Sequence, residues 1–191
     1  MPPRKKPSDA GPKQSPYCLV IDSREKTPFT FAGVKCDARD GGRPLAVRTV
    51  VRGLPSGDYS VEGLESQVAV ERKSLADLYN TLGQGRDRFE RELERLDAME
   101  YAAVVIEASW QSILSQTHLY SKLPPKIVFR SIISWQQRFR RVHWWPTEGR
   151  RLSELATLRI LERFWRDRQF TDRTKGKPTD PPPDPETPPA G

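Results

Sequence analysis

Two short β-type runs joined by a glycine-containing loop constrain the fold of this chain more than any other stretch. The first run, Asp58–Val61, follows a Pro-Ser-Gly turn signal, and the second, Val68–Glu71, ends in a cluster of charged residues. If the two strands pair antiparallel through the loop at Gly63, both charged ends lie at one edge of the same sheet. We therefore expect Asp58 and Glu71 to lie close together.

The charged residues at these strand ends are of the types that bind a divalent metal ion and a phosphodiester. Side chains alternate between the faces of a strand, so Glu71 and Lys73 point the same way and Arg72 points the other way. Mg²⁺ takes oxygen ligands, usually one or two carboxylates with water and substrate phosphate. We therefore predict that Asp58 and Glu71 hold Mg²⁺ and that Lys73 aligns a water molecule. The alternative is a solvated strand end, since 30% of the residues are charged.

Hydrophobic periodicity predicts the remaining elements of the chain. Strands are expected over 17–22, 45–52, 102–107 and 142–145, and helices from residue 74 and over 86–99, 124–138 and 153–169. A helix that precedes the apolar run at 102–107 predicts a parallel crossover into the sheet. These elements together predict an α/β fold.

Four short strings that occur in order along the chain extend the pattern. They are IDSRE at 21–25, GDY at 57–59, ERKSLADL at 71–78 and GR at 85–86. The sequence resembles the nuclease domain of the XPF family of structure-specific endonucleases, in the PD-(D/E)XK superfamily, whose signature is GD followed by ERKxxxD. Gly57 stands in the place of the superfamily's proline. The resemblance covers roughly Tyr17 to Arg168 and implies a restriction-endonuclease-like fold, a central mixed β-sheet flanked by helices.

The resemblance also implies a reaction and the residues that perform it. It implies a Mg²⁺-dependent DNA endonuclease, with Mn²⁺ as a substitute ion, whose products carry a 5′-phosphate and a 3′-hydroxyl. The predicted catalytic residues are Asp22, Asp58, Glu71, Arg72, Lys73 and Asp77. The predicted metal ligands are Asp22, Asp58 and Glu71, with Asp22 supporting or completing the site. Arg24 and Arg86 are expected to contact DNA near that site.

Structural alternatives stay open for three of these residues. Asp22 could cap the Ser-Arg-Glu turn that follows it. Asp77 lies three positions after Ser74, at the spacing of a helix-capping box, and could serve only the helix start. Arg72 is turned away from Glu71 by strand parity, so we expect it to brace Glu25 or Asp77.

A second basic region lies near the C-terminal end of the predicted domain. Arg138, Arg140 and Arg141 precede the Val-His-Trp-Trp strand at 142–145. This cluster is predicted either to follow a DNA backbone or to form a dimer surface, because XPF-type nuclease domains pair through this part of the fold. A homodimer or heterodimer is expected. Nothing after Gln169 resembles the family's helix-hairpin-helix module. Either a partner supplies that module, or this is a compact version that binds DNA through the nuclease domain and basic segments alone.

Composition divides the chain into three parts and limits its location. Residues 1–16 are predicted to be a disordered basic arm, 17–169 the nuclease domain and 170–191 a disordered proline-rich tail. The net charge of +7 is typical of proteins that bind polyanions. No apolar run approaches the ~20 residues that span a bilayer, and no signal peptide is evident. We expect a cytoplasmic or nucleoid protein, nuclear in a eukaryote, with no membrane partner.

Two other functions are compatible with a fold of this kind. One is a catalytically silent subunit that binds DNA or dimerises, and the other is a restriction-type nuclease of phage or mobile-element defence. Silent relatives have typically lost the acidic and ERK residues, and this chain retains them. The sequence therefore favours an active endonuclease of DNA repair or recombination that cuts flaps, forks or junctions.

Overall fold

A six-stranded mixed β-sheet forms the centre of the molecule. The computed structural model describes residues 11–37, 41–115 and 122–175. The strands are β1 (Lys13–Asp22), β2 (Leu45–Arg52), β3 (Tyr59–Val61), β4 (Val68–Lys73), β5 (Tyr101–Ile106) and β6 (Val142–Pro146). Their order is β2-β1-β3-β4-β5-β6. Strand β3 runs antiparallel to both neighbours, and the other neighbouring pairs are parallel.

Five helices flank the sheet in the described part of the chain. They are α1 (Leu75–Gly83), α2 (Arg86–Asp97), α3 (Trp110–Ser115), α4 (Pro125–Arg138) and α5 (Arg150–Lys175). Helix α1 begins after Ser74, whose hydroxyl accepts a hydrogen bond from the backbone N–H of Asp77. Helix α2 buries the predicted stripe of Phe89, Leu93 and Leu96. The sheet and helices confirm the predicted α/β class.

Two hydrophobic cores fill the two faces of the sheet, and β5 contributes to both. Ala102, Val104 and Ile106 pack in the core that α1, α2 and α4 cover. Ala103 and Val105 point to the opposite face, into the core that α5 covers. This burial on both sides explains why residues 102–106 form a continuous apolar run, as is typical of a central parallel strand.

The hairpin of β3 and β4 forms as the sequence predicted. Tyr59 lies opposite Val70 in the antiparallel ladder. The backbone N–H of Asp58 donates to the carbonyl of Val70 at 2.9 Å. The start of β3 and the end of β4 therefore meet at one edge of the sheet, and β5 runs parallel to β4 as expected.

Two elements extend further than the sequence indicated. Strand β1 begins at Lys13, so residues 13–16, predicted to lie in the basic arm, belong to the sheet. The pairing of β1 with β2 is irregular between Gln14 and Cys18, where Pro16 has no N–H to donate. Because proline is unfavourable inside a strand, residues 13–16 were not predicted to belong to β1. Helix α5 continues to Lys175, beyond the predicted end at 169. The rest of the predicted arm and tail, 1–10 and 176–191, lies outside the described residues.

The described residues contain no helix that is both long and apolar enough to cross a membrane. Cys18 and Cys36 are free thiols.

Candidate active site

A cleft of about 660 Å³ opens at the edge of the sheet where β3 starts and β4 ends. Its acidic lining residues are Asp22, Glu25, Asp58, Glu71, Asp77 and Glu92. Its basic lining residues are Arg24, Lys26, Arg72, Lys73 and Arg88. The cleft therefore brings together all six residues predicted to be catalytic.

A glycine turn sets the position of Asp58. Gly57 has a φ of 74°, in the left-handed region that favours glycine. A Cβ added there would lie 3.0 Å from the Cβ of Ala69 and 3.2 Å from the carbonyl of Val70. Close approach of the turn to β4 therefore requires glycine at position 57.

Asp58 and Glu71 form a pair of carboxyl groups, of which Glu71 is buried and Asp58 partly buried. Burial, and secondly the negative charge of Glu71, raises the pKa of Asp58 to about 8. Glu71 itself is only 8% exposed. Two acids whose charges repel each other favour a nearby cation, and Mg²⁺ commonly uses one or two carboxylates with water and phosphate. The donor set of Asp58 and Glu71 therefore fits that ion.

Lys73 supplies the positive charge nearest to this acidic pair. Its Nζ atom lies 2.6 Å from Oε1 of Glu71 and 4.6 Å from the centre of the Phe89 ring. Burial acts to lower the pKa of Lys73, but the charge of Glu71 overcomes it and raises the pKa. Lys73 is thus a protonated lysine held on the same side of β4 as Glu71, as strand parity predicted.

The carboxylate of Asp22 is held by hydrogen bonds within the protein. Oδ1 accepts from the backbone N–H and Nε of Arg24, and Oδ2 accepts from its guanidinium and from the N–H of Leu54. The hydrogen bond from the Arg24 side chain is the largest cause that lowers the pKa of Asp22 to about 2. Asp22 caps its own turn, the alternative that the sequence left open.

The three predicted metal ligands do not form one preformed group. Within residues 11–37, 41–115 and 122–175, no cluster of three or more His, Cys, Asp or Glu side chains is arranged to hold a metal ion. Arg24 and Leu54 occupy the oxygens of Asp22 as hydrogen-bond donors. The role expected of Asp22, to support or complete the metal site, stays a prediction.

Arg72 braces the site from the other face of β4. Its guanidinium donates to Glu107 at 2.8 Å and lies 3.3 Å from Glu25. The predicted contact with Glu25 is thus confirmed. The stronger partner, Glu107, was not predicted; it follows the end of β5 and also pairs with Arg150. Arg72 therefore ties the loop after β1 to the end of β5.

Asp77 lines the cleft and also stabilises the start of helix α1. Its N–H donates to the hydroxyl of Ser74, and that hydroxyl donates to Oδ2 of Asp77 at 2.6 Å. The capping contact that the sequence raised as an alternative is present. The position of Asp77 in the cleft leaves its predicted catalytic role as a prediction.

Four of the arginines predicted to contact DNA do not line the cleft. Arg86 donates to Glu90 and Ser131 and lies over the ring of Trp135. The guanidinium of Arg138 pairs with carboxylates of α2. The backbone N–H of Arg141 donates to Asp97, and Arg140 lines a separate groove beside β6.

The placement of Arg86 follows from the direction in which its face of α2 points. One turn of α2 contributes Arg88 and Glu92 to the cleft, while Arg86 points toward α4. Arg24 is the predicted DNA-contacting arginine that does line the cleft, with its side chain 71% exposed.

The cleft also contains residues that sequence reasoning did not select. Arginine and glutamate alternate along α2, so the sequence suggested that Arg88 and Glu92 form ion pairs along the helix rather than part of a site. Lys26 lies in a segment that was predicted to be a loop. The spacing from Gly85 to Arg88 and Glu92 places them on one helix face, next to the glycine that begins the helix. That shared face was the available signal.

A comparison with models of protein families identifies the class of protein to which this fold and cleft belong. The model of the ERCC4 domain matches residues 21–155. The chain belongs to the ERCC4 domain family, a family of nucleases. This result confirms the family that the GDY and ERKSLAD strings indicated.

Comparison with solved structures shows the same fold. XPF from Aeropyrum pernix aligns with a TM-score of 0.51 at 18% identity, over 89% of this chain and 68% of that chain. XPF from Aeropyrum pernix in complex with DNA aligns with a TM-score of 0.45 at 18% identity, over 86% of this chain and 68% of that chain. A comparison with curated proteins found no match.

Proposed function

We propose that this protein is a Mg²⁺-dependent DNA endonuclease, with Mn²⁺ as an alternative ion, that acts on branched DNA in repair or recombination. The observation that carries the proposal is the pair of Asp58 and Glu71, whose charges interact, beside the ammonium group of Lys73. Membership of the ERCC4 domain family supports the nuclease chemistry. We infer a cytoplasmic, nucleoid or nuclear location from this role.

Asp58 and Glu71 would hold the metal ion, which supplies Lewis-acid polarisation of the phosphoryl group and lowers the pKa of a bound water. Lys73, fixed by Glu71, orients the attacking water and stabilises negative charge that develops on the phosphate. Asp22 supports the site by holding the exposed guanidinium of Arg24 at the mouth of the cleft.

DNA binding in this proposal has two parts. Basic side chains of the cleft, including Arg24, Lys26 and Arg88, contact phosphates that flank the scissile bond. The net charge of +7 favours such a polyanionic partner. Duplex contacts beyond the cleft come from a second subunit, paired through β6 and α5, or from a partner that carries a helix-hairpin-helix module.

Exposed aromatic surface supports that pairing. Trp145 on the edge strand β6 is 45% exposed. It borders an apolar groove of about 360 Å³ between β6 and α5. Exposed apolar patches of this kind mark interaction sites, and a homodimer or heterodimer would cover this one.

Cleavage of labelled DNA tests the proposal. Linear duplex, flap and fork substrates are incubated with Mg²⁺ and, in parallel, with EDTA. We expect cuts near the branch point of the flap and fork in Mg²⁺ alone. The matched variants are Glu71→Gln in the cleft and Glu148→Gln at an exposed position.

The pattern of activity distinguishes the candidate functions. Loss of cleavage in Glu71→Gln and its retention in Glu148→Gln assign the reaction to this cleft. DNA binding without cleavage by the wild type would indicate the silent subunit instead. Equal cutting of linear and branched DNA would indicate a restriction-type nuclease.

A further inference from the structure

Helix α2 holds the turn that precedes Asp58. Oε1 of Glu92 accepts a hydrogen bond from the backbone N–H of Gly57 at 3.0 Å. Nε of Arg95 donates to Oγ of Ser56 at 3.1 Å. An ion pair joins Glu92 and Arg95 to each other. Two adjacent residues of the turn are thus fixed from one helix.

The turn has little freedom to shift without moving the Asp58 carboxyl group. Gly57 is already in the left-handed conformation and lies against β4. Ser56 is buried, with 2% exposure. Asp58 follows Gly57 directly in the chain. Rotation of the peptide bond between them would therefore change the position of the Asp58 carboxyl group relative to Glu71.

Helix stabilisation alone does not explain an acidic side chain at position 92. Glu92 lines the same cleft as Asp58 and Glu71, and its side chain is only 20% exposed. A further negative charge in a phosphate-binding cleft disfavours the substrate. Position 94, by contrast, carries a glutamate that is 54% exposed and pairs with Arg138 away from the cleft.

We propose that Glu92 is a positioning residue, which orients Asp58 against Glu71 by accepting the hydrogen bond of the Gly57 N–H. The inference rests on the proposed function, because Asp58 and Glu71 are its metal-holding pair. Outer partners of metal ligands typically change metal affinity or activity 10–100-fold when they are mutated. The oxygen atom, rather than the charge of Glu92, carries this role.

Three substitutions separate the oxygen from the charge. Glu92→Gln keeps an oxygen at the same reach and removes the charge. Glu92→Asp keeps the charge and withdraws the oxygen by one methylene. Glu92→Leu removes both. Glu94→Leu is the control for loss of an acid from the same helix, and thermal unfolding of every variant verifies that it folds.

Two readouts are measured for each variant. Amide hydrogen exchange of Gly57 in the metal-free protein reports the hydrogen bond itself, without any cleavage. Mn²⁺ titration calorimetry and the kcat and KM for a fork substrate report its consequence. We expect Glu92→Leu and Glu92→Asp to accelerate exchange of the Gly57 amide about tenfold, because a hydrogen bond of ordinary strength is lost. The same two substitutions should lower Mn²⁺ affinity and kcat about 10–100-fold. KM should change little.

The outcomes separate this inference from the proposed function. Near-normal exchange, Mn²⁺ affinity and kcat in Glu92→Gln and Glu94→Leu, with losses in Glu92→Leu and Glu92→Asp, support it. A Glu92→Gln variant as impaired as Glu92→Leu overturns it, because the charge would then matter. If the wild type is active and every variant matches it, the inference about Glu92 is overturned and the proposed function is not. A wild type that neither binds Mn²⁺ nor cleaves overturns the proposed function, and the inference with it.

Discussion

Asp22 and Asp58 lie at the same end of two neighbouring strands, yet their carboxyl groups have opposite surroundings. The backbone N–H of Asp22 donates to the carbonyl of Asp58 at 2.8 Å, so the two residues are in direct contact. Hydrogen bonds from Arg24 lower the pKa of Asp22 to about 2. Burial and the charge of Glu71 raise the pKa of Asp58 to about 8.

The comparison shows why proximity to a site does not by itself give a carboxylate a ligand role. The protein already satisfies Asp22 with backbone and guanidinium donors, which is a structural use of the acid. The Asp58 carboxylate accepts a hydrogen bond from the backbone N–H of Arg72 at 2.7 Å, but it stays partly buried near the like charge of Glu71, and a bound cation or a proton relieves that repulsion. We therefore assign the metal ion of the proposed function to Asp58 and Glu71.

The largest expected effect is the loss of cleavage in Asp58→Asn. Removal of a ligand charge should lower kcat/KM at least about 10³-fold, because the ion and the Lewis-acid chemistry that it supplies are lost with the ligand. A gel assay with a labelled fork measures it. Asp87→Asn, the same change at an exposed position of α2, serves as the control and should remain active. Substantial activity in Asp58→Asn would contradict the claim that Asp58, unlike Asp22, holds the metal ion.

Lys73→Met should lower kcat by about 10²–10³, the range for loss of one preorganised group that stabilises charge. The Lys73 ammonium contacts Glu71 at 2.6 Å, so its effect should appear in the chemical step. Lys26→Met removes another cationic side chain from the same cleft and should mainly raise KM. Single-turnover kinetics separate the two variants, and equal losses in kcat would contradict the role of Lys73.

Asp22→Asn should destabilise the fold by about 2 kcal/mol, because the buried backbone N–H of Leu54 and the guanidinium of Arg24 lose their charged acceptor. Urea unfolding at pH 7 measures the change. Since the pKa of Asp22 is lowered in the folded state, its contribution is present above pH 4 and is lost as the pH falls toward 2. An Asp22→Asn variant as stable as wild type would contradict the structural role assigned to Asp22.

The smallest expected effect is a fall in stability of the metal-free protein as the pH rises. The folded pKa of Asp58 lies above its unfolded value, so its contribution is complete below about pH 4 and is lost as the pH passes through about 8. We expect a loss of about 1–2 kcal/mol between pH 6 and pH 9. Asp58→Asn should flatten this dependence in thermal unfolding at matched salt. Parallel curves for the two proteins would contradict the raised pKa.

Local sequence pattern is enough to predict the hairpin that holds the site. Turn signals around Gly57 and Gly63, combined with strand alternation, bring Asp58, Glu71 and Lys73 to one edge of the sheet. Such features depend on neighbours in sequence. The local cap that Arg24 forms with Asp22 was among the alternatives that the sequence left open. The contact of Asp22 with Leu54 could not be predicted, because the two residues are 32 positions apart and no local pattern reports it.

Helix faces are the second place where sequence pattern and structure differ. Arg86 is expected at the phosphate because it follows the glycines that start α2, but it points to Ser131 of α4. Arg88 and Glu92 face the cleft instead. Arginine and glutamate alternate along α2, so the local sequence does not show which helix face points to the cleft. Packing of α2 against α4 determines that face. Interhelical contacts of that kind are not encoded in local spacing.

Mn²⁺ titration calorimetry of the wild type, Asp58→Asn and Asp22→Asn tests the central claim most directly. We predict that the wild type binds Mn²⁺, that Asp58→Asn loses this binding, and that Asp22→Asn weakens it less. The same order should hold in competition with Mg²⁺. Undiminished Mn²⁺ binding in Asp58→Asn would contradict the claim that Asp58 and Glu71 hold the ion.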